Sequence, residues 1–271
     1  MRYADLHTHT YHSDGTRSPR EVVDVARQHG IDILAISDHD NVAAYFEIKA
    51  HADAVGVTLI PAIELSCLHD GVDVHVLAYA FNPDNERIHE RLRGFRETRQ
   101  QRGYAMVERL RSLGYTISAE RVDQLAAGGA MGRPHVARAL VEAGYVASVS
   151  EAFDKLLGTG KPGYVDKERF RIDEAIDLIR DAGGLTSIAH PTLYPNHETL
   201  VPELLDLGID AVEVYHPQVD EPNRERYANL VRFRGKFATG GSDDHGTVKT
   251  SETLGTVKVP SSMIGPILER L

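Results

Sequence analysis

The feature of this sequence that most constrains its fold is the alternation of short β-branched apolar runs with longer helix-like segments. Such alternation is typical of βα units around a mostly parallel sheet. The clearest helix is predicted at Pro19–His29, where Ser18 can cap the first turn and Gly30 ends the apolar periodicity. The apolar runs predict seven strands, at Arg2–Leu6, Ile31–Ile36, Thr58–Glu64, Val72–Tyr79, Leu185–Ala189, Ala211–Tyr215 and Lys236–Thr239.

Seven such strands indicate an α/β fold, a distorted (β/α)7 version of the eightfold barrel, whose active sites collect at the C-terminal ends of the strands. The alternation fails between about Asn85 and Gly163. This stretch is rich in Arg and Glu and predicts helices instead. We therefore expect a barrel domain of residues 1–98 and 163–271, and a helical insertion of residues 99–162 that covers the active-site cleft. The insertion helices are predicted at Glu86–Leu113, Arg133–Ala143 and Val149–Leu157.

Composition excludes several classes of protein. A formal net charge of −10 argues against a broad basic surface, so we expect no stable binding of duplex nucleic acid. No apolar run is long enough to span a membrane, and no signal-like stretch follows Arg2. The single cysteine, Cys67, allows no internal disulfide and is predicted to be a packed residue. Together these features predict a soluble, cytoplasmic protein without membrane contact.

Histidines and carboxylates follow the ends of the predicted strands. His7 and His9 form an H-x-H pair at the end of the first strand, where side chains two apart point to the same face and can share one metal ion. Six of the seven predicted strands deliver a His, Asp or Glu at or near their ends, which disfavours the alternative of unrelated polar loop residues. The candidates for a metal site at this rim are therefore His7, His9, Asp14, Asp38-His39-Asp40, Glu64, His75, His190 and Asp243-Asp244-His245.

In the order of these motifs the chain resembles the PHP (polymerase and histidinol phosphatase) superfamily of phosphoesterases. The segments at 132–138 and 158–165 also resemble those of bacterial 3′,5′-nucleoside bisphosphate phosphatases and of RNase AM, a 5′-to-3′ exoribonuclease of short RNAs. The motifs that carry the superfamily resemblance are Asp5-Leu6-His7-Thr8-His9, Ser13-Asp14-Gly15, Ser37-Asp38-His39-Asp40, Glu64, His75, Ala189-His190-Pro191 and Ser242-Asp243-Asp244-His245.

The resemblance implies a centre of three divalent metal ions. His7, His9, Glu64 and Asp243 would hold the first, Glu64 would bridge to a second completed by His75 and His190, and Asp14, His39 and His245 would hold the third. Imidazole and carboxylate ligands without thiolate suit Mn²⁺, Fe²⁺ or Zn²⁺ better than Mg²⁺. Asp5, Asp38 and Asp40 are expected to orient the ligand imidazoles.

Three divalent ions against three ligand carboxylates leave excess positive charge, which favours a phosphorylated substrate. We expect a hydroxide that bridges two metal ions to attack phosphorus. By resemblance, Arg133, His135 and Lys161 would hold substrate phosphates, with Arg133 and His135 acting as catalytic residues. The substrate class implied is small nucleotides, such as 3′,5′-nucleoside bisphosphates, or the 5′ ends of short RNAs. A metabolite phosphatase such as histidinol-phosphate phosphatase, a polymerase accessory domain and a non-catalytic binding module are the alternatives.

Two positions depart from the branch pattern. Leu193 stands where an HPGRY-like segment carries Arg, and Asp244 stands where SDFH carries Phe. We expect Asp244 to add a carboxylate beside the metal ions, and both changes to alter which ester is cut. His12 and His216 are assigned no role.

Overall fold

The computed structural model describes residues 1–126, 131–166, 169–248 and 253–271. Strands and helices alternate as predicted around the barrel. The strands are β1 Tyr3–Thr8, β2 Ile33–Ile36, β3 Thr58–Ile60, β4 Ala62–His69, β5 Val72–Tyr79, β6 Phe170–Arg171, β7 Leu185–Ile188, β8 Ala211–Tyr215, β9 Phe237–Gly240 and β10 Val259–Pro260. The α-helices are α1 Pro19–Gln28, α2 Ala43–Ala54, α3 Glu86–Ser112, α4 Ala119–Leu125, α5 Arg133–Glu142, α6 Val149–Ala152, α7 Ile172–Asp181, α8 His197–Asp206, α9 Glu221–Phe233 and α10 Gly265–Leu268.

The strands form two sheets, in the orders β10-β1-β2-β3 and β6-β4-β5-β7-β8-β9. The pairs β1/β2, β2/β3, β7/β8 and β8/β9 are parallel, whereas β5 runs antiparallel to both of its neighbours. Two isolated parallel bridges, Thr8 with Asp244 and His39 with Glu64, join the two sheets at the ends of β1 and β2. The predicted α/β fold with a distorted barrel is confirmed, and the antiparallel β5 contributes to the distortion.

The third predicted strand, Thr58–Glu64, is wrong as a single element. It is two strands that pair in different sheets, and Pro61 lies between them. Proline has no N–H to donate to a strand ladder, which explains the break. β4 then turns back into β5 through Asp70-Gly71, both with positive φ (46° and 81°), as a tight hairpin of this kind requires.

β5 runs antiparallel to β4, and its His75 reaches the site from the middle of the strand. His75 pairs with Ser66, and Glu64 pairs with Leu77 on the same ladder. The prediction that β5 delivers a ligand near its end is therefore corrected to a mid-strand position. The two-residue strands β6 and β10 and the short helix α4 are additions that periodicity could not predict, since they are too short to display a period.

Helix α3 belongs to two apolar clusters. Its N-terminal half packs Ile88, Leu92 and Phe95 into the large barrel core. Its C-terminal half packs Met106 and Leu110 into a separate cluster formed with α4, α5 and α6. The predicted boundary between residues 98 and 99 falls inside this continuous helix, and the division at 1–98, 99–162 and 163–271 stays a prediction. Within the described ranges no helix is long and apolar enough to cross a bilayer.

Candidate metal and substrate site

Glu64, near the start of β4, lies at the centre of the site and is almost fully buried. Five imidazoles face its two carboxylate oxygens. Oε2 lies 3.3 Å from His7 Nε2, 3.3 Å from His9 Nε2 and 3.2 Å from His39 Nδ1, and Oε1 lies 2.9 Å from His75 Nδ1 and 3.2 Å from His190 Nε2. A carboxylate placed this way can bridge two cations held by different imidazoles.

A second carboxylate, that of Asp243 in the loop after β9, faces two of the same imidazoles, those of His7 and His9. Its Oδ1 lies 3.3 Å from both His7 Nε2 and His9 Nε2 and 3.6 Å from His245 Nδ1. Asp243 has a positive φ of 50°, and its backbone N–H donates to the His7 carbonyl at 2.8 Å. A Cβ on the nearby Gly241 would lie only 2.4 Å from His7 atoms, so glycine there permits this close approach of the loop to β1.

The third carboxylate, Asp14, faces a group of three imidazoles at the mouth of the barrel. Its oxygens lie 3.4 Å from His245 Nε2, 3.8 Å from His39 Nε2 and 3.8 Å from His9 Nδ1. The loop that carries Asp14 is held by Asp38, which accepts hydrogen bonds from the Ser13 hydroxyl (2.6 Å) and the Thr10 backbone N–H (2.7 Å). Asp14 is therefore fixed although it lies in a loop.

These side chains fit divalent metal ions. Glu64 Oε2 and Asp14 Oδ1 are buried without a hydrogen-bond partner in the part of the chain that the structure describes. The donor atoms are imidazole nitrogens and carboxylate oxygens, as Mn²⁺, Fe²⁺ and Zn²⁺ prefer. Among the predicted ligands, three groups have ligand atoms within 4.8 Å of one another: His9, Asp14, His39 and His245; His7, His9 and Asp243; and His39, Glu64 and His75. The assignment of ligands to individual ions stays a prediction.

When no metal ion is bound, protonated imidazoles balance the negative charges of the carboxylates. Burial lowers the pKa of His9, but the carboxylates of Asp243 and Glu64, each 3.3 Å from its Nε2, outweigh burial and raise it to about 10. Burial also lowers the pKa of His7, but the charges of Glu213, Glu64 and Asp243 raise it well above its ordinary value. A bound metal ion would therefore displace protons from His7 and His9, which would make metal binding pH-dependent.

A cavity of about 220 Å³ extends from this cluster to the insertion helices. Asp14, His39 and His75 line its inner end. Three arginines line the outer end, together with the rings of Phe95 and Phe153; the arginines are Arg99, Arg102 and Arg133. No carboxylate of the described residues lies within 4 Å of any of these three guanidinium groups. The cavity therefore joins a cluster of predicted metal ligands to positive charges that have no carboxylate partner among the residues of described placement.

Comparison with known proteins identifies the family. Residues 5–181 match the PHP domain. The chain belongs to the PHP domain family. A 5′-3′ exoribonuclease, Rnm, of Salmonella typhimurium is 35% identical to this PHP protein over 247 residues, covering 89% of this chain and 84% of its own. A 3′,5′-nucleoside bisphosphate phosphatase of Chromobacterium violaceum is 30% identical over 283 residues, covering 100% and 97%.

The fold has a close counterpart among solved structures. A Bifidobacterium adolescentis protein, itself predicted to be a metal-dependent phosphoesterase, superposes with a TM-score of 0.90 and 32% identity, covering 98% of this chain and 96% of its own. The prediction of a PHP-superfamily hydrolase acting on phosphoester bonds is confirmed by these relatives.

Glu213 is a site residue of this PHP protein that sequence reasoning missed. It lies on β8, fully buried, and its Oε1 accepts a hydrogen bond from His7 Nδ1 at 2.9 Å. Its Oε2 accepts the backbone N–H of His190 at 2.7 Å. Glu213 thereby keeps a proton on His7 Nδ1, so that Nε2, which faces Glu64 and Asp243, is the nitrogen available to a metal ion. The signal available was a lone carboxylate within the apolar strand Ala211–Tyr215, since a buried charge requires a partner.

Asp5, Asp38 and Asp40 do not orient imidazoles, contrary to expectation. Asp5 accepts the backbone N–H of Ser242 at 2.9 Å, and burial raises its pKa to about 6. Asp40 accepts the backbone N–H of Ser66 at 2.9 Å, and Asp38 holds the loop of Asp14. Proximity in sequence gave the wrong partners because it does not determine which groups the fold brings to a carboxylate; these three accept hydrogen bonds from backbone and hydroxyl groups of other segments.

The expectation that Asp244 stands beside the metal ions is also wrong. Its carboxylate turns away from the imidazoles and forms an ion pair with Arg17. It also accepts hydrogen bonds from the backbone N–H groups of Gly246, Thr253 and Leu254, at 3.0, 3.0 and 3.2 Å. Asp244 therefore fastens the loop that carries Asp243. The other departure, Leu193, lies half exposed in the short helical turn after His190.

Replacing Asp244 with alanine is expected to destabilise the protein by about 3–5 kcal/mol, because it removes a buried carboxylate that pairs with Arg17 and accepts hydrogen bonds from three backbone N–H groups. Urea unfolding of the metal-free variant measures this change. The matched control is Asp53→Ala, which removes an exposed carboxylate paired with Lys49 and should change stability little. Equal unfolding midpoints for the two variants would contradict this role of Asp244.

The residues predicted to hold substrate phosphates fall in three environments. Arg133 lines the cavity, its guanidinium 5.5 Å from the Phe153 ring centroid. His135 is buried at the start of α5, where its Nδ1 accepts the Gly132 backbone N–H at 3.1 Å. Lys161 lies on an exposed turn and is absent from the cavity lining. Catalytic and phosphate-binding roles for these residues stay predictions.

His135 is expected to make stability fall with acid. Burial lowers its pKa from 6.5 to about 4, so between these values the unfolded chain binds a proton that the folded chain does not. Its contribution is complete above pH 6.5 and is lost as pH falls towards 4, by roughly 2 kcal/mol at pH 5. Between pH 7 and pH 5, the free energy of unfolding, measured with urea in EDTA, should therefore fall less in His135→Gln than in the wild-type protein. A loss equal to that of wild type, or to that of the exposed control His29→Gln, would contradict this.

Proposed function

We propose that this PHP protein hydrolyses phosphoesters of small nucleotides, in particular 3′,5′-nucleoside bisphosphates or the 5′ ends of short RNAs. The observation that carries this substrate class is the cavity, which places three arginines beside the cluster of predicted metal ligands, and within the described ranges none of the three has a carboxylate partner. A substrate with a single phosphate at that cluster would leave the arginines unused. A substrate with a second phosphate would engage both ends of the cavity.

The cavity lining suits a nucleotide. Arginine guanidinium groups match phosphate oxygens in a planar fork and suit phosphate better than lysine does. Phe153 offers an aromatic ring on which a base can stack. Arg102 is the most buried of the three arginines; burial, then the nearby charge of Arg133, lowers its pKa to about 10. An anion in the cavity would relieve this crowding of positive charge.

We further propose three divalent ions, Mn²⁺, Fe²⁺ or Zn²⁺, held by the nine predicted ligands. When bound, such ions activate water and stabilise the charge that develops on phosphorus-bound oxygens. The chain's own residues prepare the site. Glu213 fixes the tautomer and orientation of His7, Asp38 holds the loop of Asp14, and Asp244 fastens the loop of Asp243. Arg102 and Arg133 would bind the phosphate that does not react.

The rival candidate, histidinol phosphate, fits this cavity less well. Its ammonium group would face three guanidinium groups, and like charges brought close together are unfavourable. A non-catalytic module is disfavoured because all nine ligand positions are filled and six of these side chains are within contact distance of Glu64 or Asp243.

A substrate panel assayed with Mn²⁺ tests the proposal. It contains a nucleoside 3′,5′-bisphosphate, a 5′-phosphorylated short oligoribonucleotide, histidinol phosphate and a sugar phosphate. We expect turnover of the first two, at higher kcat/KM than of the others. Turnover of the metabolite phosphates alone would overturn the substrate class while leaving phosphoester hydrolysis in place.

A further inference from the structure

His216, directly after β8, is a buried histidine that the metal-ligand motifs do not include. Its side chain is 1% exposed, and its ring centroid lies 6.3 Å from that of His7 and 5.9 Å from that of His190. Its Nε2 lies 3.6 Å from Asp243 Oδ2 and has no hydrogen-bond partner within the described ranges. A buried imidazole nitrogen that faces a predicted metal ligand in this way indicates a role for His216 at the site.

The turn after β8 fixes which nitrogen of His216 carries the proton. The backbone N–H of Gln218 donates to His216 Nδ1 at 3.1 Å. A ring nitrogen that accepts a hydrogen bond carries no proton, so the neutral ring is protonated on Nε2. The turn is itself held in place, because Val219 N–H donates to the His216 carbonyl at 3.0 Å and the Thr192 hydroxyl donates to the Gln218 carbonyl at 3.2 Å.

A protonated Nε2 has no lone pair for a metal ion, but it can donate a hydrogen bond. Asp243 supplies the one carboxylate within 4 Å of it among residues of known placement. The two oxygens of Asp243 face different groups: Oδ1 faces His7 and His9, and Oδ2 faces His216. At 3.6 Å the Nε2 and Oδ2 atoms lie just beyond hydrogen-bond distance, so a small rotation of the carboxylate would form the bond.

We propose that His216 is a positioning residue for the metal centre. Its Nε2–H holds Oδ2 of Asp243, which leaves Oδ1 to bind a metal ion beside His7 and His9. The proposal rests on Asp243 being a metal ligand, but it requires no particular substrate. Residues that orient metal ligands in this way typically contribute 10–100-fold to metal affinity.

Two substitutions separate a donor role from a purely packing role. In His216→Gln the amide nitrogen can occupy the place of Nε2 and still donate, whereas in His216→Asn it reaches only the place of Nδ1. Calorimetric titration of the metal-stripped proteins with Mn²⁺ would measure the affinity of each variant. We expect His216→Asn to weaken Mn²⁺ binding by roughly 10–100-fold, and His216→Gln to restore most of the affinity. Unchanged affinity in His216→Asn, or an equal loss in both variants, would overturn the proposal.

A second measurement uses the unaltered protein and is independent of how the variants fold. Long-range ¹⁵N-edited NMR of the histidine rings distinguishes the two neutral tautomers and metal-bound nitrogens. We expect His216 to be protonated on Nε2 both without metal and with diamagnetic Zn²⁺. A proton on Nδ1, or coordination of Zn²⁺ by Nε2, would overturn the proposal. Failure of the nucleotide panel would leave both of these results unaffected.

Discussion

Replacing Glu64 with alanine is expected to lower kcat/KM for every accepted phosphoester by roughly 10³-fold or more and to reduce the metal content of the purified protein. Its two oxygens face five imidazoles, so the substitution removes the anion that these rings share. Metal ions contribute several kcal/mol of stabilisation to such reactions, and each 1.4 kcal/mol corresponds to a tenfold change in rate. Steady-state kinetics with Mn²⁺, together with metal analysis of the same preparation, measures both effects.

The matched control for Glu64→Ala is Glu142→Ala. Glu142 is an exposed carboxylate at the end of α5, paired with Arg121 at 2.8 Å, and it belongs to none of the groups among the described residues whose ligand atoms could hold a metal ion. We expect that variant to retain wild-type activity and metal content. His39→Ala should behave like Glu64→Ala, since His39 faces both Glu64 and Asp14. Activity retained by either variant after removal of metal would refute the metal mechanism.

Replacing Arg102 with alanine is expected to lower kcat/KM for a nucleoside 3′,5′-bisphosphate by roughly 10- to 100-fold. A hydrogen bond to a charged group contributes about 1.5–3 kcal/mol, which corresponds to that range. Arg102 is buried at the cavity, its Nε donates to the Val165 carbonyl at 2.7 Å, and its Nη2 has no partner among the residues described. For a nucleotide with only one phosphate, the loss should be much smaller, because the arginine then contacts no phosphate.

The control for Arg102→Ala is Arg121→Ala on the same insertion. Arg121 is exposed and forms a two-pronged ion pair with Glu142 outside the cavity lining. We expect no change in kcat/KM for either substrate in that variant. Urea unfolding of both proteins separates substrate binding from stability. Equal losses for the two substrates in Arg102→Ala would place Arg102 outside the contact with the second phosphate.

Local motifs explain why much of the metal site could be predicted from the sequence. His7 lies on β1 and His9 follows the last residue of that strand, and the alternation of an extended chain places both on one face. His39 and His190 lie within three residues of the ends of β2 and β7, and the C-terminal ends of such strands meet at one rim. Each of these features depends on a few neighbouring residues, so a single sequence contains it.

Partners that are distant in the chain could not be predicted. Glu213 contacts His7 from 206 residues away, and Asp244 pairs with Arg17 from 227 residues away. The residues next to Glu213 and Asp244 in the sequence do not indicate these partners. The sequence therefore suggested Asp5, and not Glu213, as a residue that orients an imidazole, and it placed Asp244 beside the metal ions. Arg102 was missed for a related reason: in an arginine-rich helix each arginine has the pattern of a solvated surface residue, and only the packing of α3 against α5 buries this one.

Side chains from β1, β4, β5 and the loops after β1, β2, β7 and β9 are predicted to hold the metal ions jointly. Anomalous X-ray scattering from crystals grown with Mn²⁺ tests this prediction most directly, because it locates each ion relative to named atoms. We predict three Mn²⁺ peaks, one of them between Glu64 Oε2, Asp243 Oδ1 and the Nε2 atoms of His7 and His9. Anomalous maps without a peak among these imidazoles, in crystals of protein that hydrolyses phosphoesters, would contradict the account.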